Sequence, residues 1–306
     1  MKRRSFVKGL AAGSAVAGIS GLASANAAGT SYSMPQKHNF KLKYAPHFGM
    51  FQHHAGKDPI DQLQFMSEVG FMALEDNGMM GRSVEQQTKI GETLAKLDMT
   101  MGVFVVDKGG NSANTLAAGK KEHIDIFLDG CRRAVEVAKR CNAKWMTVVP
   151  GDYERHIPIG IQTANVIEAL RRGAEILEPH GLVMVLEPLS DSPNLFLQYS
   201  DQTYLICKAV NSPSCKILYD AYHLQKNEGH LITNIDRCWD EIPYFQIGDN
   251  PGRKEPTTGE INYKNVFKFI HEKGYTGVLG MEHGLSKPGK EGELALIQAY
   301  VESDNF

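Results

Sequence analysis

The run Val183-Met-Val-Leu-Glu187-Pro188 sets four apolar residues before a carboxylate. Lys216-Ile-Leu-Tyr-Asp220, Tyr244-Phe-Gln246-Ile-Gly-Asp249 and Gly277-Val-Leu-Gly-Met-Glu282 repeat the pattern. Unbroken apolar runs of this length suit strands buried on both faces, as in a parallel sheet covered by helices. Each run closes on an oxygen-bearing side chain, so four consecutive strands are expected to end in polar groups. Working outward, similar short runs are predicted as strands over 42–48, 71–75, 100–106 and 145–149, besides 183–189, 216–220, 244–249 and 277–282. Between them, segments of helical period are predicted over 58–69, 83–97, 122–140, 162–177, 202–210, 231–239, 263–272 and 291–302. Ser83 and Gln86 form a capping pattern ahead of the second of these helices. Gly70, Gly181 and Gly274 each stand between a helix and a strand, as helix stops do.

Eight strand–helix units in this length match one α/β domain, a single (β/α)8 TIM barrel over 40–306, preceded by an N-terminal extension over 28–39. A doubly wound nucleotide-binding sheet is disfavoured. No GxGxxG follows the first strand, Gly109-Gly110 lacks that spacing, and no GxxxxGK[ST] loop is present. At 306 residues, 42% hydrophobic and 22% charged, the chain is neither collagen-like, coiled coil nor intrinsically disordered.

Net charge is −2, yet Met1 to Ala27 holds Lys2, Arg3, Arg4 and Lys8 and no acidic residue. Setting those four aside from the 33 basic residues leaves 29 against 35 acidic, a balance of −6. An acidic body argues against nucleic acid or an anionic membrane as a partner. Gly9 to Ala23 is weakly apolar, too rich in Gly and Ser for a good span. Ala25-Asn26-Ala27 supplies a small-x-small cleavage pattern. Arg3-Arg4-Ser-Phe-Val-Lys resembles the bacterial twin-arginine export signal, so residues 1–27 are expected to be a signal peptide touching the membrane only transiently, with the body periplasmic or exported. Cys131, Cys141, Cys207, Cys215 and Cys238 lack CxxC or metal-finger spacing and are expected as small buried thiols. Whether the barrel forms a homo-oligomer is left open by the sequence.

In a barrel of this kind, chemistry collects at the C-terminal ends of the strands. Glu187, Asp220 and Glu282 converging there would repel one another unless a cation compensates them. With the Gln246 amide oxygen they form a mostly hard ligand set suited to a divalent Mg or Mn ion, whereas zinc more usually recruits His or Cys. Asp249 reads equally as a turn-former for Asn250-Pro251-Gly252. His47, at the end of the first strand, reads either as a pocket residue or a loop histidine. His53 and His54 read as solvated loop residues. Glu75, at the end of the second strand, is expected in the polar pocket wall.

The segment from Leu186 to Glu282 resembles the hydroxypyruvate isomerase group of the xylose isomerase-like barrels, a sugar isomerase/epimerase superfamily. The resemblance rests on Glu187-Pro188, Tyr219-Asp-Ala-Tyr-His223, Gln246-Ile-Gly-Asp-Asn-Pro-Gly-Arg253 and Glu255-Pro-x-Thr-Gly-Glu-Ile-Asn262. Gly70-Phe-x-x-x-Glu75 also resembles that group's second strand. The resemblance implies a divalent metal held by Glu187, Asp220, Gln246 and Glu282. It implies Glu187 and Glu282 as the catalytic proton-transfer pair, with His223 and Arg253 contacting substrate oxygens. Related ketose epimerases have His where this chain has Gln246, which favours the hydroxypyruvate isomerase branch. Ser190 stands where the group has Asn, and the His47–His54 and Gly151–His156 segments are unusual.

The expected chemistry is removal of a proton α to a carbonyl and its return to the neighbouring carbon through an enediolate. Beside a substrate role, His223 could orient Asp220, and Arg253 could pair with Glu255 or Glu260 in its own loop. Four readings compete: an isomerase of hydroxypyruvate or a similar small hydroxy-carbonyl compound, an exported keto-sugar epimerase or isomerase, a phosphodiesterase related to endonuclease IV, and a sugar-binding barrel without turnover. The phosphodiesterase ranks low, because it needs several metal-binding histidines and a basic groove. The leader is open to direct test. Replacing Arg3 and Arg4 together by Lys should leave the protein in the cytoplasmic fraction of a twin-arginine-competent bacterium. Unchanged periplasmic recovery would refute that route.

Overall fold

Parallel strands form where the chain alternates residues between two apolar faces. The computed structural model describes residues 36–306. The expected leader over 1–27, and the extension up to residue 35, lie outside the described residues. The strands are β1 (Lys43–Ala45), β2 (Ala73–Leu74), β3 (Thr100–Met101), β4 (Phe104–Val105), β5 (Trp145–Val148), β6 (Val183–Leu186), β7 (Cys215–Asp220), β8 (Tyr244–Gln246) and β9 (Val278–Gly280). The helices are α1 (Gln52–Ala55), α2 (Pro59–Val69), α3 (Val84–Lys96), α4 (Lys121–Cys141), α5 (Ile159–Leu177), α6 (Ser200–Val210), α7 (Ala221–Asn227), α8 (Leu231–Cys238), α9 (Tyr263–Glu272) and α10 (Gly289–Ser303).

Seven strands pair in the order β1-β9-β8-β7-β6-β5-β4, and β2 pairs with β3. Every pair is parallel. A parallel bridge between His47 and Glu75 joins β1 to β2, with the Glu75 N–H donating to the Pro46 carbonyl at 3.0 Å. Since β3 continues into β4, the ring is closed: an α/β barrel, as expected. The strand predicted over 100–106 is interrupted at Gly102-Val103 because a side chain intrudes. The Tyr244 hydroxyl crosses from β8, occupies the space a Cβ on Gly102 would need, and accepts the Val103 N–H at 3.3 Å.

Alternation along each strand sorts side chains into two layers. Ala45, Ala73, Val103, Val183, Val185, Leu218, Tyr244 and Val278, with Trp145 against them, form one buried cluster inside the ring. Their neighbours Met184, Leu186, Tyr219, Phe245 and Leu279 belong to the larger cluster beneath the helices. The same parity carries the inward set onward to His47, Glu75, Glu187, Asp220, Gln246 and Glu282. A polar layer therefore sits directly on the apolar one.

The helices are held by local signals and by the helix-facing core. Ser83 and Gln86 exchange both capping-box hydrogen bonds at 3.2 Å. Gly70 ends α2 at φ 111°, where a Cβ would fall on the His38 carbonyl. The five cysteines are buried and free. Among the described residues no helix is long and apolar enough to cross a membrane. Two short helices escaped the periodicity. One is α7, capped by a strand-end Asp. The other is α1, which corrects the reading of His54 as solvated, since its side chain is buried, while the His53 side chain stays exposed as expected. Buried Glu293 of α10 accepts the backbone N–H of His53 at 2.7 Å and of His54 at 3.0 Å, the His53 Nδ1 contact at 2.9 Å, and a close His54 Nδ1 contact. A carboxylate at the start of a one-turn helix supplies acceptors that the chain itself lacks there.

Gly280 of β9 meets a strict limit, because a Cβ there would coincide with Glu75 Oε2. Gly280→Ala should cost about 1–3 kcal/mol by overpacking. A lowered urea midpoint with unchanged slope would show it, and wild-type stability would place Glu75 elsewhere.

Candidate active site at the C-terminal mouth of the barrel

Glu187 follows β6, Asp220 and Gln246 end β7 and β8, and Glu282 lies just past β9. Asp220 and Gln246 are register partners. Asp220 Oδ1 caps α7, accepting the N–H groups of Tyr222 at 2.7 Å and His223 at 3.2 Å. Asp220 Oδ2 has no hydrogen-bond partner, though the Arg253 Nη2 stands 3.5 Å away. Glu282 accepts from Asn77 Nδ2 and from Arg253 Nη2, each at 2.9 Å, and its carbonyl accepts Arg253 Nε at 3.1 Å. Arg253 holds this position from a left-handed backbone, φ 48°, and packs over the Tyr222 ring. It does not pair with the loop acids considered as alternatives. Glu255 accepts from Ser286, and Glu260 from Gln225.

Buried Glu187 stands 4.0 Å from His223 Nε2. Glu187, Asp220 and His223 offer ligand-capable atoms within 4.8 Å of one another, the kind of group that can hold a metal ion. The ring's tautomer bears on which of them would do so. His223 Nδ1 receives the Ser190 backbone N–H at 3.1 Å, so the neutral ring carries its proton on Nε2, which faces the carboxylates. A protonated nitrogen is a donor and not a ligand. Asp249 is the turn-former: its carboxylate accepts the N–H groups of Gly259 at 2.8 Å and Ile261 at 3.0 Å. The 151–156 loop pairs with 194–195.

Glu75 is a correction. Expected in the pocket wall, it is fully buried, its oxygens taken up by Tyr244 Oη at 2.6 Å, Gln246 Nε2 at 2.8 Å and His47 Nε2 at 2.9 Å. Strand parity points it inward, beneath the cavity rather than into its wall.

Charge crowding shifts the titrating groups. Burial, then repulsion from Glu282 and Asp220, raises the Glu187 carboxyl well above its ordinary range. Burial, then Asp220 and Glu75, pushes Glu282 up to about 8. Burial opposes charge on Arg253, but the carboxylates of Glu282, Asp220 and Glu187 outweigh it and strengthen its hold on its proton. Burial pulls His47 down, yet Glu75 outweighs it and the imidazole is raised on balance. His223 is lowered, chiefly by burial.

A cavity of about 420 Å³ opens on the Glu282 side of this layer, lined by His47, Asn77, Arg253, Glu282, His283 and Leu285 among others, with Glu187, Asp220 and Gln246 outside its lining. Asn77 and His283 were not singled out in the sequence. Asn77 shares the inward parity of Glu75 two residues before it, a signal that could have found it. His283 donates from Nδ1 to the Gly284 carbonyl and accepts at Nε2 from the Tyr300 hydroxyl, both at 2.9 Å. Burial pushes it down to about 4, so it stays neutral. Its partner lies in α10, and nothing local announced it.

Hydroxypyruvate isomerase of Escherichia coli (strain K12) is 34% identical over 163 residues, 51% of this chain and 62% of that protein. 2-oxo-tetronate isomerase of Cupriavidus necator is 31% identical over 140 residues, 45% of this chain and 54% of that protein. The chain thus spans between half and two thirds of these relatives' lengths. Among solved structures, an AP endonuclease, family 2, from Brucella melitensis superposes with a TM-score of 0.70 at 23% identity, covering 85% of this chain and 99% of that one. The 3-keto-D-glucoside 4-epimerase from E. coli reaches 0.72 at 15% identity, covering 87% and 100%. At such identities the two likenesses establish the fold alone. The family model of the xylose isomerase-like TIM barrel matches residues 63–300. With most of the sequence matched and the parallel ring closed, the chain belongs to the xylose isomerase-like TIM barrel family.

Proposed function

We propose that the chain is a divalent-metal-dependent isomerase moving a carbonyl between adjacent carbons of a small hydroxy-keto acid, of the hydroxypyruvate and 2-hydroxy-3-oxopropanoate type. One observation carries the reading: two buried oxygens without hydrogen-bond partners, Asp220 Oδ2 and Gln246 Oε1, share the mouth with the raised carboxyls Glu187 and Glu282. The relatives named hydroxypyruvate isomerase and 2-oxo-tetronate isomerase support the substrate class.

The donor set fits a hard cation. Glu187, Asp220, Gln246 and Glu282 would hold Mg or Mn. Bound there, the ion would act as a Lewis acid toward a carbonyl and its adjacent hydroxyl. The protein groups do the rest. Glu187 and Glu282 stand on β6 and β9, with β7 and β8 between them, so they can address a small molecule from two sides. One removes the proton α to the carbonyl and the other returns a proton to the neighbouring carbon, while the hydroxyl proton passes to the former carbonyl oxygen. Carboxyls raised above their ordinary range suit both halves of that exchange. His223 donates from Nε2 to a substrate oxygen, and Arg253 pairs with the substrate carboxylate. Neutral His283 adds no charge to the mouth.

A second reading, a keto-sugar epimerase or isomerase, is favoured by a cavity of about 420 Å³, far roomier than a three-carbon acid requires. The leader read in the sequence would make either activity an exported one.

Glu282→Gln keeps the shape and removes the proton carrier. It should lower turnover by about 10²–10⁴-fold. Exchange of carbon-bound hydrogen in D₂O, followed by NMR with hydroxypyruvate and with keto-sugars, reads both substrate classes. Wild-type exchange with neither class would refute isomerisation and leave a binding barrel.

Glu282 also predicts how stability responds to pH. Its folded value near 8 lies above the ordinary 4.5, so its contribution is full below about 4.5 and fades as pH rises through 8. In chelator the Tm should fall across that window. Excess Mn²⁺ should flatten the fall, because cation binding competes with the proton. Equal slopes with and without Mn²⁺ would contradict a cation at Glu282.

A further inference from the structure

Gln246 reaches the mouth as an amide, which could turn either its oxygen or its nitrogen toward a cation. Only the oxygen can act as a ligand. What decides is the group on the other side. Glu75 Oε1 stands 2.8 Å from Gln246 Nε2 and 2.9 Å from His47 Nε2, and Glu75 Oε2 receives the Tyr244 hydroxyl at 2.6 Å. A carboxylate accepts and does not donate, so the amide must present its N–H₂ to Glu75. The Gln246 oxygen then points away, buried and without a partner, on the residue in register with Asp220. The place of Glu75 is itself fixed. Gly280 leaves the space its Oε2 fills, and Tyr244 is tied to the break between β3 and β4 by the Val103 N–H.

We propose that Glu75 is a positioning residue, which locks the Gln246 side chain as an oxygen donor toward the cation and leaves the direct ligands to the layer above. The proposal rests on the metal reading of the preceding section. It explains why a fully buried carboxylate stands in a mouth already crowded with acids. Such a group is expensive to keep, and here three donors satisfy it. Partners one step behind a ligand commonly change metal affinity by about 10–100-fold.

The test is a Mn²⁺ titration of the purified full chain, following free Mn²⁺ by electron paramagnetic resonance. Glu75→Met removes both oxygens at similar volume and should weaken binding by about 10–100-fold. Gln246→Leu removes the donor. If Glu75 acts through Gln246, the double variant should bind no more weakly than Gln246→Leu alone. A Glu75→Met protein that is folded by circular dichroism and binds within twofold of wild type overturns the proposal, as does a double variant whose losses add. Absence of Mn²⁺ binding by wild type overturns the metal reading and this proposal together, a result distinct from either of those. Should Glu75→Met not fold, Gln246→His carries the test. Its imidazole can donate one N–H to Glu75 and offer the other nitrogen outward. Mn²⁺ should then yield to Zn²⁺ in direct competition by at least tenfold relative to wild type, and an unchanged preference overturns the proposal.

Discussion

Glu75, Glu187, Asp220 and Glu282 bring four carboxylates to one end of a closed parallel barrel, and their mutual repulsion is the constraint around which the neighbouring groups are arranged. Each acid is accommodated differently. Glu75 is surrounded by donors from β8 and from His47, just past β1. Asp220 uses one oxygen to begin α7 and keeps the other free. Glu282 is held by Asn77 and Arg253. Glu187 stands 4.0 Å from His223, and burial, then the charges of Glu282 and Asp220, raises its carboxyl well above the ordinary range. Buried acids with a free Asp220 oxygen and raised Glu187 and Glu282 carboxyls are the usual mark of a functional site.

The loops supply what the strands cannot. A strand can place a carboxylate inward every second residue, but it offers no cation there without displacing the packed layer below. The guanidinium of Arg253 comes instead from the loop after β8, through a left-handed backbone whose N–H donates to the Asp249 carbonyl at 2.7 Å. Ser190, in the loop after β6, settles the tautomer of His223. Affinity and proton transfer therefore depend on loop geometry as much as on the acids themselves.

Much of this was legible in the primary structure, for a physical reason. Apolar runs ending in Glu187, Asp220, Gln246 and Glu282 signal strands whose last residues escape the packed layers, and eight such units match a barrel. The helices came through from period and caps, as with Ser83 and Gln86. What did not come through depended on partners far away in the chain. His54 looks like a solvated residue until Glu293 is set beside it. Glu75 looks like a pocket wall until Tyr244 and Gln246 close over it, about 170 residues further along the chain. The break in the third strand came from one hydroxyl reaching across the ring.

The sequence by itself determined the parity: which residues face inward, and that the inward set turns from apolar to acidic at the strand ends. It did so because a strand has a period of two whatever surrounds it. Only the tertiary structure decided which of the acids are already satisfied, which way the Gln246 amide turns and which nitrogen of His223 carries the proton. Those choices belong to hydrogen-bond partners that ring closure brings together, and no local pattern along the chain encodes them.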